Sequence, residues 1–162
     1  MLHVRNLLEL SQFIILSKLD MQRFFLFIII GFYAMSCSVE PAPISYGNDE
    51  CKFCMMKIMD ERFGAEIVTE KGKIYKFDSA ECMLRYSKEN PGNPKHVLVT
   101  HVNVPNVLQD AKSSYYVICE HIPSPMGANL SSYPNKEFAT TKVMELGGET
   151  YSWDGLLEKY SN

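Results

Sequence analysis

The sequence predicts an α+β protein of two small, similar lobes, each a β-hairpin or strand pair with a packed helix. Two observations carry that reading. Short β-branched and aromatic runs alternate with helix-capping signals, and the pattern Gly72-x-x-Tyr75-x-Phe77-Asp78 recurs as Gly148-x-x-Tyr151-x-Trp153-Asp154. Each copy reads as turn, strand, cap and helix.

In the first lobe (about 51–104), residues 65–69 and 74–77 read as two strands around the turn Lys71-Gly72-Lys73. Asp78 stands at the expected helix N-cap with Glu81 three residues on, the capping-box spacing. The helix should run from about Ser79 to Lys88 and stop before Asn90-Pro91-Gly92. Residues 97–104 form a strand by β-branched content. In the second lobe (about 111–162), residues 115–120 are a strand, and the proline-rich stretch 121–134 reads as a loop. Asn135 caps a helix over about 136–146 that Gly147 closes, and residues 156–160 are helix-like.

The N-terminal part reads as an export signal. From Met21 the chain passes Arg23, an uncharged apolar run from Phe24, and then Ala34-Met35-Ser36-Cys37. A basic start, a short apolar stretch and small residues before a cleavage point mark secretion. The uncharged run is too short for the roughly 20 residues of a membrane-spanning helix. Cys37 stands where a bacterial lipobox carries its acylated cysteine. Residues 1–20 are then an upstream extension, 21–36 the signal, 37–50 the lipidated cysteine with a Pro-rich tether, and 51–162 the domain. Beyond Cys37, 13 Lys and Arg face 17 Asp and Glu, so no basic face invites nucleic acid. The expected location is the bacterial envelope, facing the periplasm on a lipid anchor.

The chemistry concentrates in Cys51-Lys52-Phe53-Cys54-Met55-Met56. Thiolates with thioethers are soft donors that favour copper(I) over harder divalent ions. Spacing alone leaves four alternatives open. The pair Cys51 and Cys54 could be a disulfide in an oxidising compartment, half of a zinc site or a thiol–disulfide redox pair, and Met55 and Met56 could be core filler. Catalytic signatures such as H-E-x-x-H, G-x-S-x-G or a P-loop are absent, so the chain reads as a carrier and not an enzyme. His96 and His101 fall in strand positions that suggest surface or core roles. His121 opens the loop that also carries Met126. Cys82 and Cys119 read as small buried hydrophobes.

Taken in order, these residues resemble the NosL family, copper-binding lipoproteins that serve nitrous oxide reductase assembly. Cys54-Met55-Met56 is similar to the family's Cys-Gly-Met stretch. Phe77-Asp78-Ser79, Tyr115-Tyr116-Val117-Ile118, Pro125-Met126-Gly127 and Gly147-Gly148 ahead of Tyr151-x-Trp153-Asp154 follow in the family's order. The resemblance implies copper(I) ligation by Cys54, Met56 and the loop residue Met126. Cys51 is an addition to the bare motif, and Met55 replaces its glycine. By the same resemblance, the partners are apo nitrous oxide reductase and a membrane ABC-type transporter, and the fold is partly shared with organomercury lyases. Binding wants thiolates, so affinity should fall as pH falls. The competing function is a thiol–disulfide protein using Cys51 and Cys54.

Overall fold

The computed structural model describes residues 39–161. The upstream extension, the export signal and Cys37 lie outside the described residues. Among the described residues, no helix is long and apolar enough to cross a membrane.

The first sheet is built from β1 (Ala65–Thr69), β2 (Ile74–Phe77), β3 (Pro94–His101) and β4 (Val104–Asp110). Its order is β2-β1-β3-β4, with every neighbouring pair antiparallel. The hairpin turn between β1 and β2 depends on Gly72, whose φ of +81° favours a residue without Cβ. The second sheet contains β5 (Tyr115–Ile118), β6 (Leu130–Tyr133) and β7 (Glu149–Ser152), in the order β6-β5-β7. Helix α1 (Ala80–Glu89) follows β2, α2 (Lys136–Leu146) follows β6, and α3 (Trp153–Ser161) follows β7. Two small antiparallel sheets with three helices make the α+β fold that the alternation of strand and cap signals predicts.

The repeated pattern becomes two strand-to-helix corners, β2 into α1 and β7 into α3, each at the edge of its own sheet. Serines cap both helices. Ser79 Oγ accepts from Cys82 N at 3.4 Å, and Ser152 Oγ accepts from Gly155 N at 3.3 Å. The expected cap, Asp78, is buried one residue earlier, with its carboxylate near the backbone N–H of Met59. Glu81 does not fold back on the cap either. Its buried carboxylate accepts the Ser124 hydroxyl and the Leu130 N–H, tying α1 to the stretch ahead of β6. That long-range partner outcompetes the local capping box.

Four other boundaries differ from the sequence reading. The loop expected over 121–134 closes with β6, where Leu130, Ser131, Ser132 and Tyr133 are all buried. The run Leu-Ser-Ser-Tyr lacks alternation because β6 is covered on both faces. The strand expected over 97–104 divides into β3 and β4 at the turn Val102-Asn103, and the strand expected to reach Glu120 ends at Ile118. The packed domain also starts ahead of Cys51, inside the expected tether. Ile44 is buried, Ala42 N–H donates to Glu66 Oε1 at 3.1 Å, and Lys76 Nζ donates to Pro43 O at 2.8 Å. This segment crosses the outer face of the first sheet, which explains why β1 is buried on both sides. Gly64 permits the approach, since a Cβ there would stand 2.5 Å from Tyr46 Oη and 2.7 Å from Ile44 Cδ1.

One buried cluster joins the two sheets: Ile58, Phe77 and Met83 pack with Tyr116, Leu130 and Leu156. Tyr116 satisfies its buried hydroxyl by donating to Ala111 O at 2.7 Å. His101 is a core residue, with Nε2 2.8 Å from Ser114 Oγ, and burial holds its pKa below the ordinary 6.5. The unfolded chain therefore takes up that proton first, so stability falls as pH drops through the histidine range. His101→Gln keeps a hydrogen-bonding side chain and should flatten this part of the profile. Chemical denaturation between about pH 7.5 and 5.5 checks it, and an unchanged slope in the variant would contradict the assignment.

Candidate metal centre

Cys51 and Cys54 sit in a tight loop closed at its base by the bridge Glu50–Lys57. Cys51 N–H donates to Met56 O at 2.8 Å, and Met55 N–H donates to Cys51 O at 2.9 Å. Lys52 N–H donates to Lys76 O at 2.8 Å, which ties the loop to the end of β2. From there the chain runs through Phe77 and Asp78 into α1, whose first turn carries Cys82. The loop is thereby laid over the start of the helix. The three sulfurs of Cys51, Cys54 and Cys82 all lie within 4.8 Å of one another, and among the described residues they are the group of three His, Cys, Asp or Glu side chains able to hold a metal ion. All three cysteines are free.

The electrostatics are uneven. Cys51 is held down to about 5, chiefly by the Cys82 S–H donating to its sulfur, with the N–H groups of Asp78, Cys54 and Phe53 adding to the effect against burial. Burial pushes the Cys54 thiol up. Cys82 is pushed up because it keeps its proton on the bond to Cys51, and burial adds to that. Asp78 is raised to about 6, first by burial and then by the charge of Cys51. Within the cluster, charge is therefore favoured on Cys51 over Cys54 and Cys82.

The three cysteines differ in exposure. Cys51 and Cys82 are fully buried and Cys54 is partly exposed. Cys51 and Met55 also line a cavity of about 280 Å³ with Lys52, Ile74 and Tyr75. A larger cavity, about 820 Å³, lies between Tyr75, Tyr86, Val97 and Trp153 and contains none of the cysteines.

Of the residues the sequence singles out, Cys51 and Cys54 are brought together. Met56 stays half-exposed at the end of the loop. Met126 is partly buried against the same apolar cluster as Cys51 and Cys82, on the stretch that Ser124 fastens to Glu81. Cys119 is buried, with Sγ 3.5 Å from Leu146 O and 4.0 Å from His121 Nδ1, so His121 keeps company with Cys119. Cys82 is the residue that sequence reading assigned to packing. One signal was available: the capping pattern sets Cys82 in the helix's first turn, where the N-terminal dipole helps a sulfur that gives up its proton on binding a metal.

Residues 43–161 match the NosL family. The chain belongs to the NosL family. Its fold is similar to the crystal structure of the copper chaperone NosL from Shewanella denitrificans, with a TM-score of 0.61 at 22% identity over 70% of this chain and 93% of that one. No curated protein matches the chain. The NosL match takes in the cysteine loop, the capped helix with Cys82 and the Met126 stretch, so the cluster lies wholly within the family region.

Proposed function

We propose that this NosL-family chain is a copper(I) carrier, without catalytic activity of its own, that holds one ion on Cys51, Cys54 and Cys82 and delivers it for assembly of nitrous oxide reductase. The observation that carries the reading is the three-sulfur cluster with one partly exposed member. Three sulfurs around a soft monovalent ion satisfy its preference for thiolate donors and low coordination number. Copper(I) as cargo needs no electron transfer. Loading requires only that Cys54 and Cys82 give up protons and that the three sulfurs close on the ion. The partly exposed Cys54 is then the ligand that an acceptor can reach first. Met56, on the motif loop, and Met126, on the stretch tied to α1, are the thioethers proposed to assist at entry or exit.

The same reading includes acylation of Cys37, a place on the periplasmic side of the envelope, and an ABC-type membrane transporter as a partner in assembly. Delivery is tested by reconstitution. Apo nitrous oxide reductase is incubated anaerobically with the copper-loaded chain, or with the same amount of copper(I) on a small chelator. The loaded chain should restore the copper-sulfur absorption and the activity faster than the chelator. Equal rates from both sources would defeat the delivery assignment.

A further inference from the structure

The loop around the thiol cluster carries more exposed thioether than packing explains. Methionine normally fills gaps in cores, as the fully buried Met83 does. Met55, Met56 and Met59 are instead 65%, 49% and 67% exposed within five residues of one another, while Ile58 between them is fully buried. Met144 is exposed as well, but it belongs to α2, which contributes no residue to the cluster.

Met55 is also in the left-handed region, with φ +61°. An L side chain there is disfavoured, and glycine would be at ease. A strained, exposed methionine beside a cluster of sulfurs is the kind of outlier from which a role can be inferred.

Met55 is fastened to Cys51, and Met59 lies beside Asp78. Met55 N–H donates to Cys51 O, and the two residues line the same 280 Å³ cavity. The Met59 N–H lies near enough to the Asp78 carboxylate to favour its charged form, and Asp78 follows the end of β2 to which the Cys51 loop is tied through Lys52. Two exposed thioethers therefore stand on the same short segment as the buried Cys51.

We propose that Met55 and Met59 form a peripheral thioether site that receives copper(I) before it enters the Cys51–Cys54–Cys82 cluster and holds it again as it leaves. Neutral thioethers bind the ion more weakly than thiolates do, and this difference suits a stepping stone. Each step exchanges one sulfur donor for another on an ion that stays cuprous, so no oxidant or reductant is involved. The inference rests on the copper reading of the cluster and deepens it.

The test is copper(I) self-exchange between copies of the full chain, reduced and without oxygen. A loaded unlabelled chain is mixed with an apo copy carrying a nitrogen isotope label, and native mass spectrometry follows the metal. The double variant Met55→Gly with Met59→Leu removes both sulfurs. It relieves the backbone at residue 55 and keeps volume and apolarity at residue 59. In this variant, affinity for one copper(I), measured against a competing chelator, should stay as in the parent. Exchange should slow by roughly tenfold or more, since loss of a stepping stone acts on the departure rate.

Exchange as fast as in the parent would overturn the inference. So would a matching loss of affinity, which would make these methionines ligands of the cluster itself. If the parent chain takes up no copper(I), the copper reading fails with it. If the parent binds copper and only the exchange prediction fails, that reading stands.

Discussion

Cys82→Ser is expected to lower copper(I) affinity by about a hundredfold or more, at least as much as the loss of a group that merely orients a ligand. Cys82 is fully buried, and its sulfur lies within 4.8 Å of both loop sulfurs. Without it, the ion keeps two sulfurs from a single loop and loses its tie to α1. Cys54→Ser and Cys51→Ser should each weaken binding to a comparable degree, because each removes one of the three sulfurs that lie within 4.8 Å of one another. The comparison separates the carrier from a thiol–disulfide protein. A redox pair made of Cys51 and Cys54 needs neither the sulfur of Cys82 nor any metal, so Cys82→Ser would leave dithiol oxidation largely intact. Titration against a copper(I) chelator under reducing conditions, with circular dichroism to confirm folding, reads both results. Unchanged copper affinity in Cys82→Ser would remove Cys82 from the site.

Phe77→Ala should be the most damaging packing substitution near the centre, lowering stability by about 3–5 kcal/mol. Phe77 ends β2, is fully buried in the cluster shared by both sheets, and has its ring 5.3 Å from that of Tyr86. Against a typical total of about 5–15 kcal/mol, that loss brings the metal-free chain close to unfolding at ordinary temperature. Phe77 also sets the height of Asp78, Ser79 and hence Cys82. Copper(I) binds the assembled cluster in the folded state, so a hundredfold excess over Kd should return about 2.7 kcal/mol. Urea denaturation with and without copper(I) measures both quantities. A loss under about 1 kcal/mol would mean that this corner does not anchor the fold.

What could be read from the sequence divides along the range of the interactions. The hairpin around Gly72, the Asn135 cap of α2 and the repeated strand-to-helix corner are local. Asn135 Oδ1 does accept from Phe138 N at 3.0 Å, as its position before Lys136 predicts. Features that depend on distant partners could not be read in the same way. Asp78 and Glu81 have the spacing of a capping box, yet each is taken by a residue far away in sequence, Met59 and Ser124. β6 hides in a serine-rich run because both of its faces are covered. The segment 41–46 looks like tether because proline and small residues dominate it, and only the face of β1 with its buried Glu66 shows why it packs.

The candidate site follows the same rule. Cys51 and Cys54 announce themselves by spacing three apart. Cys82, 28 residues after Cys54, joins them only because Lys52 pairs with Lys76 at the end of β2. Pairing of a loop with a strand end is a tertiary fact with no local signature.

The most direct measurement is X-ray absorption at the copper edge on the full chain loaded anaerobically with one equivalent of copper(I), beside a zinc titration. The account predicts a cuprous edge and a first shell of sulfur alone, with about three scatterers near 2.3 Å, the distance of a metal–thiolate bond. Zinc should bind more weakly than copper(I), as the soft donor set requires. A first shell dominated by nitrogen or oxygen, or a tight stoichiometric zinc site that copper(I) does not displace, would contradict it.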